Sequence, residues 1–349
     1  MGYYERSLEK WEELKGREDF YLLAIESSCD ETAVSVLKGR EVKSSVISSQ
    51  IEIHKRFGGV VPEIASRNHI LAIDNLVGEA LKEAGITEKE IEVVAVTYGA
   101  GLLGALLVGV AYAKALSYAL DVPLMAIDHI KGHVFANFIE YPDMRFPFFS
   151  LLASGGHTEL LEVKGYTDMA VVGATTDDAA GEAFDKVARV LGLPYPGGPQ
   201  IEAHAKEGQN VIPMPRPFKG EKHFNFSYSG IKTAVINYVH NAESRGEAIN
   251  THDVACSFQE AATDMLVDNA VRAAREKGYK TIAHAGGVGA NTALREKLTR
   301  RAKKYGIDVY LPSKKLCTDN ASMIGMAAYY AIKEGVKPAD LDLDADPNL

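Results

Sequence analysis

Short apolar runs rich in β-branched residues alternate along the chain with longer stretches that have the periodicity of amphipathic helices. Residues 22–36 (LLAIESSCDETAVSV) are predicted to form two strands joined by a small polar turn. Residues 148–163 (FFSLLASGGHTELLEV) repeat this pattern of strand, turn and strand. Because strands and helices alternate in this way, the sequence predicts α/β layers rather than a helix bundle or a β-sandwich.

The two hairpins form a weak internal repeat in which Thr32 corresponds to Thr158. This repeat predicts two related lobes facing a cleft, although two unrelated hairpins can share such a pattern by chance. Residues 280–291 (KTIAHAGGVGAN) are predicted to run from a strand through a glycine-rich turn into a helix. Such a turn lets the backbone approach a ligand closely. Together these segments match the actin, heat-shock-70 and sugar-kinase (ASKHA) class, which has a ribonuclease-H-like mixed sheet with flanking helices in each lobe and a nucleotide between the lobes.

Charge and cysteine content exclude several classes of protein. The chain has 349 residues and a formal net charge of -9, so it does not coat nucleic acid through its overall field. Its three cysteines are far apart, which indicates neither a disulfide framework nor a thiolate zinc site and predicts a reducing cytosol. The N-terminal residues are too charged for a signal peptide. The apolar stretch at residues 102–120 is interpreted as a buried helix rather than a membrane span.

The segment DHIKGH has the spacing of a metal-binding helix. His129 and His133 are four residues apart and project from one face of a predicted helix, for which Asp128 is a suitable N-cap. Two imidazoles at this spacing can bind one transition metal. Solvated or hydrogen-bonded histidines are the alternative interpretation.

A carboxylate at the start of the last helical run would complete such a site. Asp319 precedes the run ASMIGMAAYYAIKEG and is equally suited to cap that helix. Two histidines and one carboxylate would leave coordination positions open for substrate, as a catalytic metal requires. The sequence alone does not show that residue 319 lies beside residue 129.

Other polar groups are suited to binding an anion or a ribose. Ser154 and the N–H groups that follow it can form an anion-binding nest. Asp185, followed by the turn PGGP, can offer a carboxylate to ribose hydroxyls. Asp30 and Glu31 in the first hairpin turn are candidate acid–base groups, although turns commonly carry such residues without a catalytic role.

Residues 292–304 (TALREKLTRRAKK) form a strongly basic segment, with six lysines and arginines against one glutamate. One interpretation is a solvated helix face, and the other is a contact with RNA phosphates. Because the whole chain is acidic, a nucleic-acid partner would have to meet a local patch such as this one or be held by another subunit.

In this order, the motifs resemble those of the TsaD family, the tRNA adenosine threonylcarbamoyltransferases. They extend over roughly residues 21–335, and His157 after the double glycine is similar to the bacterial branch. The segments that carry the resemblance are IESSCDETAVSV, GGVVPEIASRNHI, GLLGALLVGVAYAKAL, DHIKGHVFAN, ASGGHTELLEV, DDAAGEAFDKVARVLGL with PYPGGP, NFSYSGIKTAV, AGGVGAN and CTDNASMIGMAA.

The resemblance implies a set of site residues. It implies one divalent metal ion, Fe²⁺ or Zn²⁺, held by His129, His133 and Asp319, with Asp30 as the candidate catalytic residue. The residues implied to bind the activated substrate and its nucleotide part are Leu152, Ala153, Ser154, Gly155, Gly156, Asp185, Gly198, Glu202 and Asn291.

The activity implied by the resemblance is transfer of threonylcarbamoyl from threonylcarbamoyl-AMP to the N6 amine of adenosine 37 of tRNA, with release of AMP. The tRNAs concerned are those that read codons beginning with adenine. The implied partners are tRNA and TsaB-like and TsaE-like protein subunits. The implied location is the cytoplasm, without a membrane.

The domain organisation is predicted from the same pattern. It consists of an N-terminal extension (1–20), an N-terminal lobe (21–130), a C-terminal lobe (131–335) and an acidic C-terminal tail (336–349), with the helix near 319–335 packing back on the N-terminal lobe. Leu8, Trp11 and Leu14 give the extension an apolar stripe, which is predicted to dock on the body or on a partner.

Three other functions fit parts of the pattern. A zinc peptidase needs the glutamate of H-E-x-x-H, and Ile130 stands in its place. A kinase or chaperone of the same fold would leave His129 and His133 without a role. A scaffold that binds a nucleotide without catalysis would keep its function when His133 is replaced.

Overall fold

Each predicted hairpin lies within a five-stranded mixed sheet in the computed structural model, which describes residues 2–349. The first sheet has the order β3-β2-β1-β4-β5, and the second has the order β10-β9-β6-β7-β8. The strands are β1 (Tyr21–Glu26), β2 (Glu31–Lys38), β3 (Glu41–Ser49), β4 (Val93–Gly99), β5 (Leu124–Asp128), β6 (Phe148–Ala153), β7 (Thr158–Val163), β8 (Met169–Ala174), β9 (Thr281–Ala285) and β10 (Asp308–Tyr310).

The two sheets have the same topology. In each, the first strand of the hairpin pairs antiparallel with the second and parallel with a later strand, as β1 does with β2 and β4 and as β6 does with β7 and β9. Thr32 and Thr158 both lie in the opening residues of the second strand. The predicted α/β class and the internal repeat are therefore confirmed.

Helices cover these sheets. Apolar side chains of α3 and α4 form a core with β1, β2 and β4, and those of α7 to α11 form a second core with β6 and β7. The helices are α1 (Tyr3–Lys15), α2 (Ile51–His54), α3 (Pro62–Ala84), α4 (Leu103–Leu120), α5 (His129–Phe135), α6 (Asn137–Glu140), α7 (Ala180–Val190), α8 (Gly197–Ala205), α9 (Ser229–Ser244), α10 (Thr251–Glu276), α11 (Thr292–Lys303), α12 (Lys314–Cys317) and α13 (Ala321–Lys333).

The chain divides into two compact units whose boundaries differ from the predicted ones. Unit 1 runs to Met144 and also contains Gly165–Thr167 and Asp319–Leu349, and unit 2 contains Arg145–Lys164 and Asp168–Thr318. The first boundary lies beyond residue 130 because α5 follows β5 directly and packs against α13. Both histidines and Asp319 therefore belong to unit 1.

Helix α4 is long and apolar enough to cross a membrane by length and composition, with a mean hydropathy of 1.6 over 18 residues. It packs on β4 and α3, and it buries Ala105, Leu106 and Gly109 in the core of unit 1. A Cβ at Gly109 would lie 2.4 Å from Oγ of Ser27 and would be in van der Waals contact with Val96 at 3.5 Å. One face of α4 is therefore packed in the core, with 33% of the span buried.

The N-terminal extension docks on unit 1. Trp11 of α1 is 2% exposed, and the hydroxyl of Tyr3 donates to the carbonyl of Val122 at 2.8 Å. Lys333 of α13 donates to the carbonyl of Lys15 at 3.1 Å. The acidic tail also lies on this unit, where the N–H of Asp346 donates to the carbonyl of Tyr98 at 2.8 Å. The N-terminal extension was predicted to dock either on the body of the protein or on a partner. The structure shows it docked on the body, at unit 1.

Candidate functional site

The two histidines occupy the first turns of α5. Asp128 caps this helix, as predicted, because its Oδ1 accepts from the N–H of Ile130 at 2.7 Å. His129 is 7% exposed and His133 is 1% exposed, and their ring centroids lie 4.6 Å apart. The alternative of solvated histidines is therefore excluded.

Asp319 lies beside both imidazoles. Its Oδ1 is 3.1 Å from Nε2 of His133 and 3.6 Å from Nε2 of His129. Two ligand atoms about 2.0–2.2 Å from one zinc ion stand roughly 3–4 Å apart, so these separations suit a shared ion. The three side chains are a group whose ligand atoms all lie within 4.8 Å of one another.

Packing of α13 against α5 brings Asp319 to this place. A Cβ at Gly132 would lie 2.7 Å from Cδ1 of Ile324, so the missing side chain lets the two helices pack closely without displacing that methyl group. The helix cap is Asn320, whose side chain accepts from the N–H of Met323 at 3.0 Å. Asp319 is therefore not the cap of α13, and its carboxylate faces the histidines instead.

His133 has the character of a metal ligand. Neither ring nitrogen has a hydrogen-bond partner among residues 2–349, although Nε2 lies 3.1 Å from Asp319, because the two groups are not aligned for a hydrogen bond. Leaving a buried polar group unpaired costs about 1–3 kcal/mol. A divalent ion between the imidazoles and the carboxylate would satisfy these groups, so the residues present fit a metal.

Glu26 orients His129 from the opposite side and is a functional residue that the sequence analysis missed. It is fully buried at the end of β1, and its Oε2 lies 3.1 Å from Nδ1 of His129 and accepts from the hydroxyl of Thr97 at 2.6 Å. A carboxylate can only accept, so Nδ1 carries the hydrogen and Nε2 is left to face Asp319. A charged residue at the end of an otherwise apolar strand was the available signal.

The charges of this pair stabilise one another. Burial raises the pKa of Glu26, but the neighbouring His129 outweighs it and brings that pKa below its ordinary value. Burial likewise opposes the charged form of His129, yet the carboxylates of Asp319 and Glu26 raise its pKa to about 9. The two carboxylates therefore favour the protonated form of His129.

Replacing Glu26 with glutamine is expected to weaken metal binding about 10- to 100-fold, the usual effect of losing a carboxylate behind a histidine ligand. The amide keeps the shape of the side chain but loses its charge and one acceptor position. Titration of the apoprotein with Zn²⁺ or Co²⁺ by calorimetry measures the change. Glu63→Gln, at an exposed position of α3, is the matched control. Equal affinity in both variants would contradict the role of Glu26.

Two further carboxylates lie near this cluster. Asp30 is 5% exposed, and its Oδ2 is buried without a hydrogen-bond partner in the described part of the chain. Burial raises the pKa of Glu31 to about 9, with the charges of Asp30 and Asp319 acting in the same direction. The structure therefore brings the Asp30–Glu31 turn close to Asp319, and the catalytic role of Asp30 stays a prediction.

In unit 2, the predicted substrate loop is the turn between β6 and β7. The N–H of Ser154 donates to the carbonyl of His157 at 2.8 Å, and the N–H of His157 donates to Oγ of Ser154 at 3.1 Å. Leu152 and Ala153 are buried strand residues, so only their backbone can meet a ligand. Gly155 and Gly156 are exposed, and each has open space where a side chain would be.

Two glycines that the sequence analysis did not single out as site residues set the position of this loop. A Cβ at Gly181, in the first turn of α7, would lie 2.6 Å from the carbonyl oxygen of Ser154 and 2.9 Å from the N of Gly155. Gly286 has φ +87° and would place a Cβ 2.5 Å from the carbonyl oxygen of Ala153. Both positions require glycine because the loop backbone passes directly against them.

Asp185 and Gly198 lie together at the start of α8. Oδ1 of Asp185 accepts from the N–H of Gly197 at 2.7 Å, which ties α7 to the first residue of α8. A Cβ at Gly197 would collide with the backbone of Asp185 at 2.7 Å, whereas Gly198 faces open space. The backbone at Gly198 is thus accessible to a ligand.

Glu202 and Asn291 meet at the start of α11. Oε1 of Glu202 accepts from the N–H of Thr292 at 3.2 Å. Asn291 caps α11 by accepting from the N–H of Leu294 at 2.9 Å, and its amide donates to Gln259 at 2.7 Å. A nucleotide contact of Asn291 would therefore use its second amide hydrogen. The hydrogen bonds of Asp185, Glu202 and Asn291 link α7, α8, α10 and α11 within unit 2.

Comparison with known proteins decides the family. The sequence profile described as TsaD, tRNA N6-adenosine threonylcarbamoyltransferase, matches residues 41–326. The chain belongs to this family. It is therefore an enzyme, a threonylcarbamoyltransferase that acts on tRNA, and the peptidase, kinase and scaffold alternatives are set aside.

A curated relative from Clostridium botulinum (strain 657 / Type Ba4) bears the same family name. It is 53% identical over 335 residues, which are 95% of this chain and 98% of the relative. A second, from Clostridioides difficile (strain 630), is 53% identical over 333 residues. The match therefore extends through both units of the chain.

Solved structures with low sequence identity share the fold alone. HypF of T. kodakarensis matches with a TM-score of 0.62 at 15% identity, covering 90% of this chain, which spans 48% of the HypF chain. Component A of the (R)-2-hydroxyglutaryl-CoA dehydratase of Acidaminococcus fermentans matches with a TM-score of 0.53 at 15% identity, covering 91% of this chain and 100% of that one. These neighbours confirm the predicted ASKHA class.

Proposed function

We propose that the enzyme transfers the threonylcarbamoyl group of threonylcarbamoyl-AMP to the N6 amine of adenosine 37 of tRNA. The amine attacks the carbamoyl carbon, the bond between that carbon and the phosphate oxygen breaks, and AMP leaves with the electron pair while the amine loses a proton. The observation that carries this proposal is the convergence of His129, His133 and Asp319, with the ring nitrogens of His133 buried and unpaired.

His129, His133 and Asp319 would hold the metal, and two nitrogens with one oxygen suit Fe²⁺ or Zn²⁺. Such an ion, when bound, polarises an oxygen of the donor as a Lewis acid, which is worth several kcal/mol. The residues themselves keep the ligand atoms in place, because Glu26 fixes the tautomer of His129 and the close packing at Gly132 fixes Asp319.

Unit 2 would bind the nucleotide part of the donor. The backbone N–H groups of the exposed Gly155 and Gly156 would donate to the phosphate, and losing one such donor typically costs on the order of 3 kcal/mol. Asp185, Gly198, Glu202 and Asn291 would contact the adenosine part. This part of the proposal is supported by the hydrogen-bond network, which holds Asp185, Glu202 and Asn291 in place.

Asp30 would accept the proton that the adenosine amine loses. Its Oδ2 is buried and lacks a hydrogen-bond partner in residues 2–349, which leaves a lone pair available. A general base must come within hydrogen-bond reach of the proton it takes, so this role depends on the pose of the adenosine.

The experiment that tests the proposed function is mass analysis of tRNA nucleosides after incubation of the metal-loaded enzyme with threonylcarbamoyl-AMP and unmodified tRNA. The expected product is threonylcarbamoyladenosine at position 37, with one AMP released for each nucleoside formed. A tRNA carrying guanosine at position 37 is the matched control. Absence of product, even when the TsaB-like and TsaE-like subunits are added, would contradict the proposal.

We propose that the enzyme works in the cytoplasm with TsaB-like and TsaE-like subunits, and that the TsaB-like subunit docks on α3 and α4. Ile70 and Leu71 of α3 are 63% and 74% exposed, and Leu107 of α4 is 42% exposed. Helices α3 and α4 are in contact at two points. Gly104 of α4 lies against Ser66 of α3, and the hydroxyl of Tyr112 of α4 donates to Asp74 of α3. Exposed apolar side chains on two packed helices are typical of a protein interface.

Replacing Leu71 and Leu107 with aspartate is expected to abolish binding of the TsaB-like subunit, because two unpaired charges would be buried in the interface. Size-exclusion chromatography of the mixed subunits measures assembly. Val211→Asp, at an exposed apolar position of unit 2, is the control and should assemble normally. Normal assembly of the Leu71/Leu107 variant would rule out this face.

A further inference from the structure

Residues 270–305 have a charge opposite to that of the chain as a whole. They contain ten lysines and arginines but only two glutamates, whereas the formal net charge of the protein is -9. Two of these cations are used inside unit 2. Arg295 donates to the carbonyls of Gly289, Leu311 and Pro312, and Lys297, 4% exposed, pairs with carboxylates of α10. The remaining cations lie at or near the surface of unit 2.

One face of α10 lies beside the end of α11. Asp268, Arg272 and Arg275 are spaced by four and three residues and therefore share this face. Arg301 of α11 pairs with Asp268 at 3.0 Å, and the guanidinium of Arg275 lies 3.9 Å from the ring centroid of Tyr305. The C-terminal turn of α11, with the exposed Arg300, Lys303 and Lys304, is thus continuous with this face.

On its other side, the same face of α10 meets the loop at residues 219–223. Arg272 donates to the carbonyl of Glu221 at 2.7 Å and to that of His223, and its guanidinium lies 4.6 Å from the ring centroid of Phe224. The exposed Lys222 of this loop extends the row of cations. Stacking on aromatic rings holds two guanidinium groups in place.

We propose that this row of cations, the α10–α11 basic face (Lys222, Arg272, Arg275, Arg300, Lys303 and Lys304), binds the phosphate backbone of the tRNA. The inference rests on the proposed function, which requires an RNA substrate. The acidic groups on the face, Glu221, Asp268, Glu276 and Glu296, are fewer than the cations, and the first three are already paired with His223, Arg301 and Arg272. The face therefore presents a net positive surface on an acidic protein.

Backbone contacts of this kind position the RNA and carry no sequence information. They also make the affinity depend on salt, because each neutralised phosphate releases counterions. The face would therefore raise the affinity for any tRNA, whereas selection of adenosine 37 would belong to the catalytic site. An experiment can therefore separate the basic face, which would affect the affinity for every tRNA, from the catalytic site, which would select adenosine 37.

The test is the variant Arg300→Gln/Lys304→Gln, with tRNA binding measured between about 50 and 200 mM KCl. We expect Kd to rise about tenfold and the slope of log K against log salt to fall by about 1.5–2, as for two lost phosphate contacts. The affinity of the variant for a tRNA that is not a substrate should fall by the same factor. At saturating tRNA, kcat should be retained while KM rises.

The matched control is Lys82→Gln/Lys89→Gln, which removes the same charge from exposed positions of unit 1 and should leave Kd and slope unchanged. Wild-type Kd and slope in the Arg300/Lys304 variant would overturn the inference. The inference would also be overturned if the Arg300/Lys304 variant bound tRNA normally but failed to assemble with its protein subunits. That result would mean that the face binds an acidic protein instead of RNA. A failure of the proposed function would give a different result, in which the wild-type enzyme binds tRNA but does not modify it.

Discussion

Replacing His133 with alanine is expected to abolish threonylcarbamoylation while leaving the protein folded. His133 supplies one of three candidate ligands, and its Nε2 lies 3.1 Å from Asp319. Loss of an ion worth several kcal/mol would slow the reaction by at least about a thousandfold, since each 1.36 kcal/mol is a factor of ten in rate. Nucleoside mass analysis measures the activity, elemental analysis the metal content, and thermal unfolding the fold.

The control for this variant is His54→Ala, which removes another fully buried imidazole of unit 1 outside the metal cluster. Its ring interacts with Gln50 and Val61, so the variant should lose stability yet retain its metal. A His133→Ala protein with a full metal content and normal modification would disprove the ligand role. It would also support the scaffold function that the sequence left open.

Replacing Gly181 with alanine is expected to weaken AMP binding about a hundredfold with only a small loss of stability. The added Cβ would meet backbone atoms of Ser154 and Gly155 at 2.6 and 2.9 Å, so the loop must move. A displacement of about 1 Å in a catalytic site can cost a factor of a hundred. Alanine is the better helix former by up to about 1 kcal/mol, which offsets part of the strain. Calorimetric titration with AMP measures the affinity.

Gly78→Ala is the matched control, because this glycine also lies within a helix but has no atom within 4 Å of the added Cβ. That variant should bind AMP normally. If Gly181→Ala binds AMP as tightly as the wild-type protein does, the β6–β7 turn is not the phosphate site, and the nucleotide must be sought elsewhere in unit 2.

The sequence predicted the features that depend on local patterns. The two strand–turn–strand segments and their repeat are set by alternation over fewer than twenty residues, and both sheets have the predicted mixed type. The cap at Asp128 and the shared face of His129 and His133 are also local. Each of these follows from spacing alone, without knowledge of distant contacts.

The features that the sequence left open depend on contacts between distant residues. Nothing local distinguishes Asp319 as a ligand from Asp319 as a cap, and packing at Gly132 decides between them. Glu26 was missed because its partner, His129, lies 103 residues away. The grouping of α5 with unit 1 was not visible in the sequence, because α5 packs against a helix almost two hundred residues later. The lobe boundary at residue 130 stays a prediction.

The division of the chain has a consequence for the order of folding during synthesis. Domains generally fold as the ribosome completes them, the N-terminal one first. Here unit 2 ends at Thr318, whereas unit 1 includes Asp319–Leu349, so the unit that begins first is completed last. A nascent chain that ends at residue 318 would carry the β6–β7 turn and both imidazoles but lack the carboxylate of Asp319. Ion capture would therefore be among the final steps of maturation.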